Sequence, residues 1–135
     1  MSVLESSVQT VLKKWGIEEI VTPTNCGYSG KKMLLQKRGM CSIHYHAKKV
    51  ETFYIDSGQM AVQWWRTDGQ SEAKLLGARD CITIFVNTPH RFYGVTDAVF
   101  YEFSTPDLSS DSYRISQSMS DVDMPPEMVA LLGVK

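Results

Sequence analysis

The chain has 135 residues, 43% of them hydrophobic and 21% charged, which suits one domain with a core of its own. Its 14 basic and 15 acidic side chains leave a formal charge of −1, arguing against the basic footprint of a nucleic-acid binder or an anionic-membrane binder. No run reaches the roughly eighteen apolar residues of a membrane span, and the opening MSVLESSVQTVLKKW lacks the shape of a signal peptide. Cys26, Cys41 and Cys81 are odd in number and widely spaced, with no CxxC pair, so the expectation is a cytoplasmic protein with reduced thiols.

Residues 7–15 place Val8, Val11, Leu12 and Trp15 at helical spacing and predict a short N-terminal helix over about residues 4–15. Thr22-Pro23-Thr24-Asn25 and Gly27-Tyr28-Ser29-Gly30 then read as loop. Across residues 32–107 short apolar or alternating segments recur: MLLQK, CSIHYH, ETFYID, QMAVQWW, EAKLLG, CITIF, HRFYGV and AVFYEFS. Turn signals separate them at Asp56-Ser57-Gly58, Thr67-Asp68-Gly69 and Gly94. Many short strands at this spacing predict an all-β sandwich or barrel, with its core over about residues 31–106. The absence of strand–helix alternation excludes a parallel α/β sheet. A Ser/Asp-rich tail, residues 107–135, ends in PPEMVALLGVK, which predicts a second short helix over residues 127–132 capped by Gly133. No repeat or linker divides the chain, so 1–135 reads as a single domain.

The chain has three histidines. His44 and His46 are separated by one residue on a predicted strand, so both imidazoles point to one side of it. Glu51 follows after a tight turn, where its carboxylate can come level with the imidazoles from an adjoining strand. His90 enters the HRFYGV segment after Asn87-Thr88-Pro89, and an antiparallel barrel can bring that strand beside the first. Three neutral imidazoles and a carboxylate suit one divalent transition metal ion: manganese, iron, cobalt, nickel or zinc.

These residues carry a resemblance to the cupin superfamily over roughly residues 34–105. The stretch GMCSIHYHAKKVETFYIDSG resembles the first cupin motif, with Gly39 one residue closer to His44 than is usual. RDCITIFVNTPHRF resembles the second, with Arg79, Phe85 and Asn87 standing where the motif has Gly, Pro and Gly. The resemblance implies a double-stranded β-helix, or jelly-roll barrel, with His44, His46, Glu51 and His90 as metal ligands. Asn87 is the mildest departure, because Asn accepts left-handed backbone geometry better than most residues.

A narrower resemblance, to small sugar-isomerase cupins of the D-lyxose isomerase and phosphomannose isomerase types, rests on GKKMLLQKRGMCSIHYHAKKVETFYIDSG, TPHRF and YEFSTPDLSSDSYRI. It implies that Lys49 and a later carboxylate lie near a small sugar-like substrate, free or phosphorylated. Glu102 is the expected base, with Asp107, Asp111 and Arg114 beyond it, although Pro106 replaces a histidine usual after the Ser-Thr pair. Strand alternation sharpens this: Phe100, Glu102 and Ser104 share one face, Tyr101 and Phe103 the other. The adjacent aromatic pairs leave rings on the outside and predict a homodimer. An iron or nickel dioxygenase and a non-enzymatic metal- or sugar-binding module are the alternatives. A polar lumen favours the isomerase and an apolar one the dioxygenase.

Overall fold

The computed structural model describes residues 2–133. In chain order its strands are β1 (Gln9–Lys13), β2 (Gly16–Ile20), β3 (Ser29–Leu35), β4 (His44–Tyr45), β5 (Glu51–Ser57), β6 (Met60–Trp65), β7 (Ser71–Leu76), β8 (Cys81–Ile84), β9 (His90–Gly94), β10 (Ala98–Ser104) and β11 (Tyr113–Arg114). A 3-10 turn at Ser109–Asp111 precedes β11, and one helix, α1 (Pro126–Leu132), follows it. The strands form two antiparallel sheets, ordered β1-β2-β3-β10-β5-β8 and β11-β4-β9-β6-β7. No helix among the described residues is long and apolar enough to cross a membrane.

Alternation along three neighbouring strands sorts the space between the sheets into two ends. Met33 and Leu35 of β3, Phe53 and Ile55 of β5, and Ala98 and Phe100 of β10 point inward. They meet Met60, Val62 and Phe92 from the other sheet. Phe92 packs edge-on against Trp15 at 5.1 Å and Phe100 at 5.2 Å between ring centroids. Two residues along each of these strands, the same inward face carries Lys31, Glu51 and Glu102, all buried. The lumen is therefore apolar at one end and charged at the other.

The expected N-terminal helix is instead the β1–β2 hairpin. Val8, Val11, Leu12 and Trp15 have helical spacing, but Val8 and Leu12 are exposed and only Trp15 reaches the core. Two factors override the periodicity. Threonine and valine in the segment favour extended backbone. Gly16, with φ +151°, lets the chain pass so close to β3 that a Cβ there would lie 1.9 Å from the Leu34 carbonyl oxygen. The hairpin thus adds two strands to the sheet and drops Trp15, at its tip, into the lumen.

The C-terminal helix forms as expected, beginning one residue earlier at Pro126 and ending on Gly133 at φ +66°. Met128 is fully buried with Ala61 and Tyr93 on the outer face of the five-stranded sheet. Gly94 is not a turn residue. It is the last residue of β9, where a Cβ would come 2.2 Å from the Gln36 carbonyl oxygen, and the reversal follows over residues 95–97.

Candidate metal centre and its charged surround

His44 and His90 are directly paired across β4 and β9, and His46 lies just beyond β4 on the face it shares with His44. Glu51 opens β5, in the opposite sheet, so it reaches the imidazoles from across the lumen and not from an adjoining strand. One ligand atom from each of the four residues lies within 4.8 Å of the others, forming a group that could hold a metal ion.

The outer ring nitrogens settle which way the imidazoles work. Nδ1 of His44 lies 2.8 Å from the Ser42 carbonyl, Nδ1 of His46 2.9 Å from that of Asp111, and Nδ1 of His90 2.8 Å from that of Thr88. A carbonyl only accepts, so each Nδ1 carries the proton and donates it, leaving the Nε2 lone pair for the centre. Burial, followed by the proximity of His90, pushes His44 down to about 3, and burial with Lys49 lowers His46. Both imidazoles are thus held neutral, as metal ligation requires.

The centre itself is a set of acceptors facing acceptors. His90 Nε2 stands 2.8 Å from Glu51 Oε1 with no donor between the two acceptors, while the second carboxylate oxygen, Oε2, faces the Lys49 ammonium at 3.1 Å. Buried polar atoms left in this state cost about 1–3 kcal/mol each. A cation bound between His90 Nε2 and Glu51 Oε1 would satisfy both, and three nitrogens with one carboxylate suit a borderline divalent ion.

Both residues expected to act on substrate face this centre. Lys49 is 4% exposed, unlike its solvated neighbour Lys48, and Glu102 shares its inward face with Phe100 as alternation requires. Lys49 Nζ lies 3.3 Å from Glu102 Oε2, 3.2 Å from Asp107 Oδ1 and 3.1 Å from Glu51 Oε2. Lys31, the cross-strand neighbour of Glu102, pairs with Glu18 at 3.3 Å and with Asp107. Burial and the nearby Glu51 push the Glu102 carboxyl up to about 8, against the pull of Lys49 and Lys31. Burial disfavours the Lys49 ammonium, but Glu102, Glu51 and Asp107 together hold it above the ordinary lysine range.

Lys31 and Glu18 were not among the expected site residues. Extending the alternation of Met33 and Leu35 back by two would have placed Lys31 inward, whereas Glu18 was hidden by the helical reading of the segment before it. His44, His46 and Glu51 line a cavity of about 600 Å³ together with Lys49, Glu102, Lys31 and Asp107, with Trp15, Met33, Phe53 and Phe92 at the apolar end, and the fully buried His90 completes the four-residue group.

No family model and no curated protein matches the sequence. Solved structures do. The chain is similar to oxalate decarboxylase from Bacillus subtilis, at 18% identity and a TM-score of 0.70, covering 80% of this chain and 30% of that one. It is similar to the capsular polysaccharide assembling protein CapF from Staphylococcus aureus, at 13% identity and a TM-score of 0.73, over 83% of this chain and 33% of that one. A Lactobacillus farciminis oxalate decarboxylase formate complex matches at 18% identity and a TM-score of 0.69, over 85% and 38%. The chain has the jelly-roll fold of the cupins. It spans about a third of the length of these neighbours, and at such identities the likeness extends to the fold alone.

Proposed function

We propose that this cupin is a metal-dependent isomerase or epimerase acting on a small sugar or sugar phosphate. The observation that carries the reading is the buried Lys49–Glu102 pair, turned into the same cavity as His44, His46 and Glu51. Aldose–ketose exchange moves a proton between adjacent carbons through an enediolate. His44, His46, Glu51 and His90 would hold a divalent ion, which when bound would polarise the carbonyl and hydroxyl oxygens. The chain's own groups do the rest. Glu102, with a carboxyl near 8, can both take a proton from carbon and return it around neutral pH. The Lys49 ammonium stabilises negative charge developing on the substrate oxygen.

The charged lining also favours this reading over a dioxygenase with an apolar pocket, and a cavity of about 600 Å³ accommodates a hexose. Lys13 and Arg114 line the same cavity, and among the described residues neither forms an ion pair with a carboxylate, leaving cations for a phosphate. The test is metal analysis of purified protein, then a screen of free and phosphorylated aldose–ketose pairs with manganese restored, run in deuterated water. Conversion with deuterium incorporation is expected, falling by about 10²–10⁴ in Glu102→Gln with metal content kept. A metal-loaded protein that binds such sugars but neither converts them nor exchanges their protons is a binding module, and the isomerase reading is then dropped.

A further inference from the structure

We infer that Asp111 is a positioning residue of the metal centre, clamping the turn between its ligands and fixing the ring of His46. This rests on the metal reading of the four-residue group. Asp111 is 5% exposed and lies at the end of the 3-10 turn in the tail, 62 to 65 positions away in sequence from the residues that it holds.

Its side-chain contacts all converge on the short turn that links His46 to Glu51. Oδ1 accepts from the Ala47 amide at 2.8 Å, Oδ2 from the Lys48 amide at 3.0 Å, and Oδ2 also from the Lys49 amide at 3.1 Å. The backbone carbonyl of the same residue accepts from His46 Nδ1 at 2.9 Å. One residue thus holds the ring that precedes the turn and the three amides within it. Three successive amides pointing at one carboxylate give the turn a single conformation, and that conformation brings Glu51 across the lumen to the imidazoles. The other two histidines use carbonyls two residues before them, Ser42 and Thr88, so their orientation is built locally. His46 alone depends on a distant segment.

The tail around Asp111 reinforces the arrangement. β11 pairs with β4, setting Arg114 opposite His44, and the Ile115 amide donates to the Ile43 carbonyl at 2.7 Å. Hydroxyls of Ser116 and Ser118 accept from the Ile43 and Ser42 amides, at 2.8 and 3.2 Å. The tail is therefore the neighbouring strand of the ligand strand, and Asp111 is its contact with the ligands themselves.

The test is titration of metal-free full-length protein with cobalt(II), read by its visible absorption, for the unsubstituted chain, Asp111→Ala, Asp111→Asn and His46→Ala. Asp111→Asn keeps the size and replaces one acceptor oxygen by a donor facing an amide, so it reports on the clamp even if Asp111→Ala folds poorly. Both Asp111 variants are expected to bind cobalt about tenfold to a hundredfold more weakly, with altered bands. Tyr93→Phe, which removes a different tail contact at 2.7 Å to the Val122 carbonyl, is expected to lower thermal stability and leave cobalt affinity unchanged. Asp111 variants that bind as tightly as the unsubstituted chain, while His46→Ala does not, overturn the positioning role. An unsubstituted chain that binds no cobalt overturns the metal reading instead.

Discussion

Cys41 sits at the wall of the cavity, 4% exposed, its sulfur accepting from the Phe92 amide at 3.2 Å. Burial pushes its thiol up to about 12 against the opposing pull of that amide, so the nucleophilic thiolate is scarce at any ordinary pH. Cys26 and Cys81 are exposed. A thiol count on native protein at pH 8 is expected to register these two quickly and Cys41 only after unfolding. Rapid reaction of all three cysteines contradicts that placement. Arg79 offers a second reading at this scale. It stands where the cupin motif has glycine, is exposed, and adopts φ +73°. Left-handed geometry costs a residue with a Cβ about 1–3 kcal/mol, while glycine's extra freedom in the unfolded chain costs about 0.5–1. Arg79→Gly is therefore expected to raise stability by about 1 kcal/mol in urea denaturation, and a loss of stability would show that the arginine side chain is needed there. Asn87, also at a glycine position of the motif, adopts φ +60° and donates its amide to the His46 carbonyl at 2.7 Å. This departure from the motif is thus at a residue tied directly to His46.

Among the elements, β3, β5 and β10 do most to define the lumen, and their inward faces were legible because period-two alternation is local. Phe100 and Glu102 share a face in the sequence and share it in the fold. The gathering of His44, His46, Glu51 and His90 into one group was legible for the same reason, aided by the motif spacing. What escaped was whatever depends on distant pairing. The β1–β2 hairpin has a helical pattern of apolar residues, and only its ladder with β3 turns it into sheet. Asp111 stands in the narrower resemblance only as one of the polar residues beyond Glu102, and its hold on the 46–49 turn shows once that turn is brought against it. Phe100 tests the packing of these strands. It is fully buried between Phe53 at 5.1 Å and Phe92 at 5.2 Å. Phe100→Ala is expected to cost about 3–5 kcal/mol in chemical denaturation. A cost below about 1 kcal/mol, the range typical of surface substitutions, would mean that the lumen is not packed as described.

For the molecule as a whole, a metal that binds the folded chain alone shifts the folding equilibrium. At a free concentration a hundred times the dissociation constant the gain is about 2.7 kcal/mol. For a chain of this size that corresponds to a rise in Tm on the order of 10 °C. Chelation by EDTA is expected to remove it in the unsubstituted protein and to do nothing in His90→Ala, as read by differential scanning calorimetry. Equal melting of both proteins with and without metal would contradict the assigned ligands.

The pairing of β11 with β4 also orders events in time. A growing chain has made His44, His46, Glu51 and His90 before Asp111 and the strand beside the first two histidines emerge. If the centre holds a metal, its capture is expected at the end of folding, after the longest loops have closed. Refolding from urea should accordingly run at the same rate with or without cobalt, while unfolding slows when cobalt is bound. A refolding rate that climbs with cobalt concentration would place the centre at the start of folding and reverse that order.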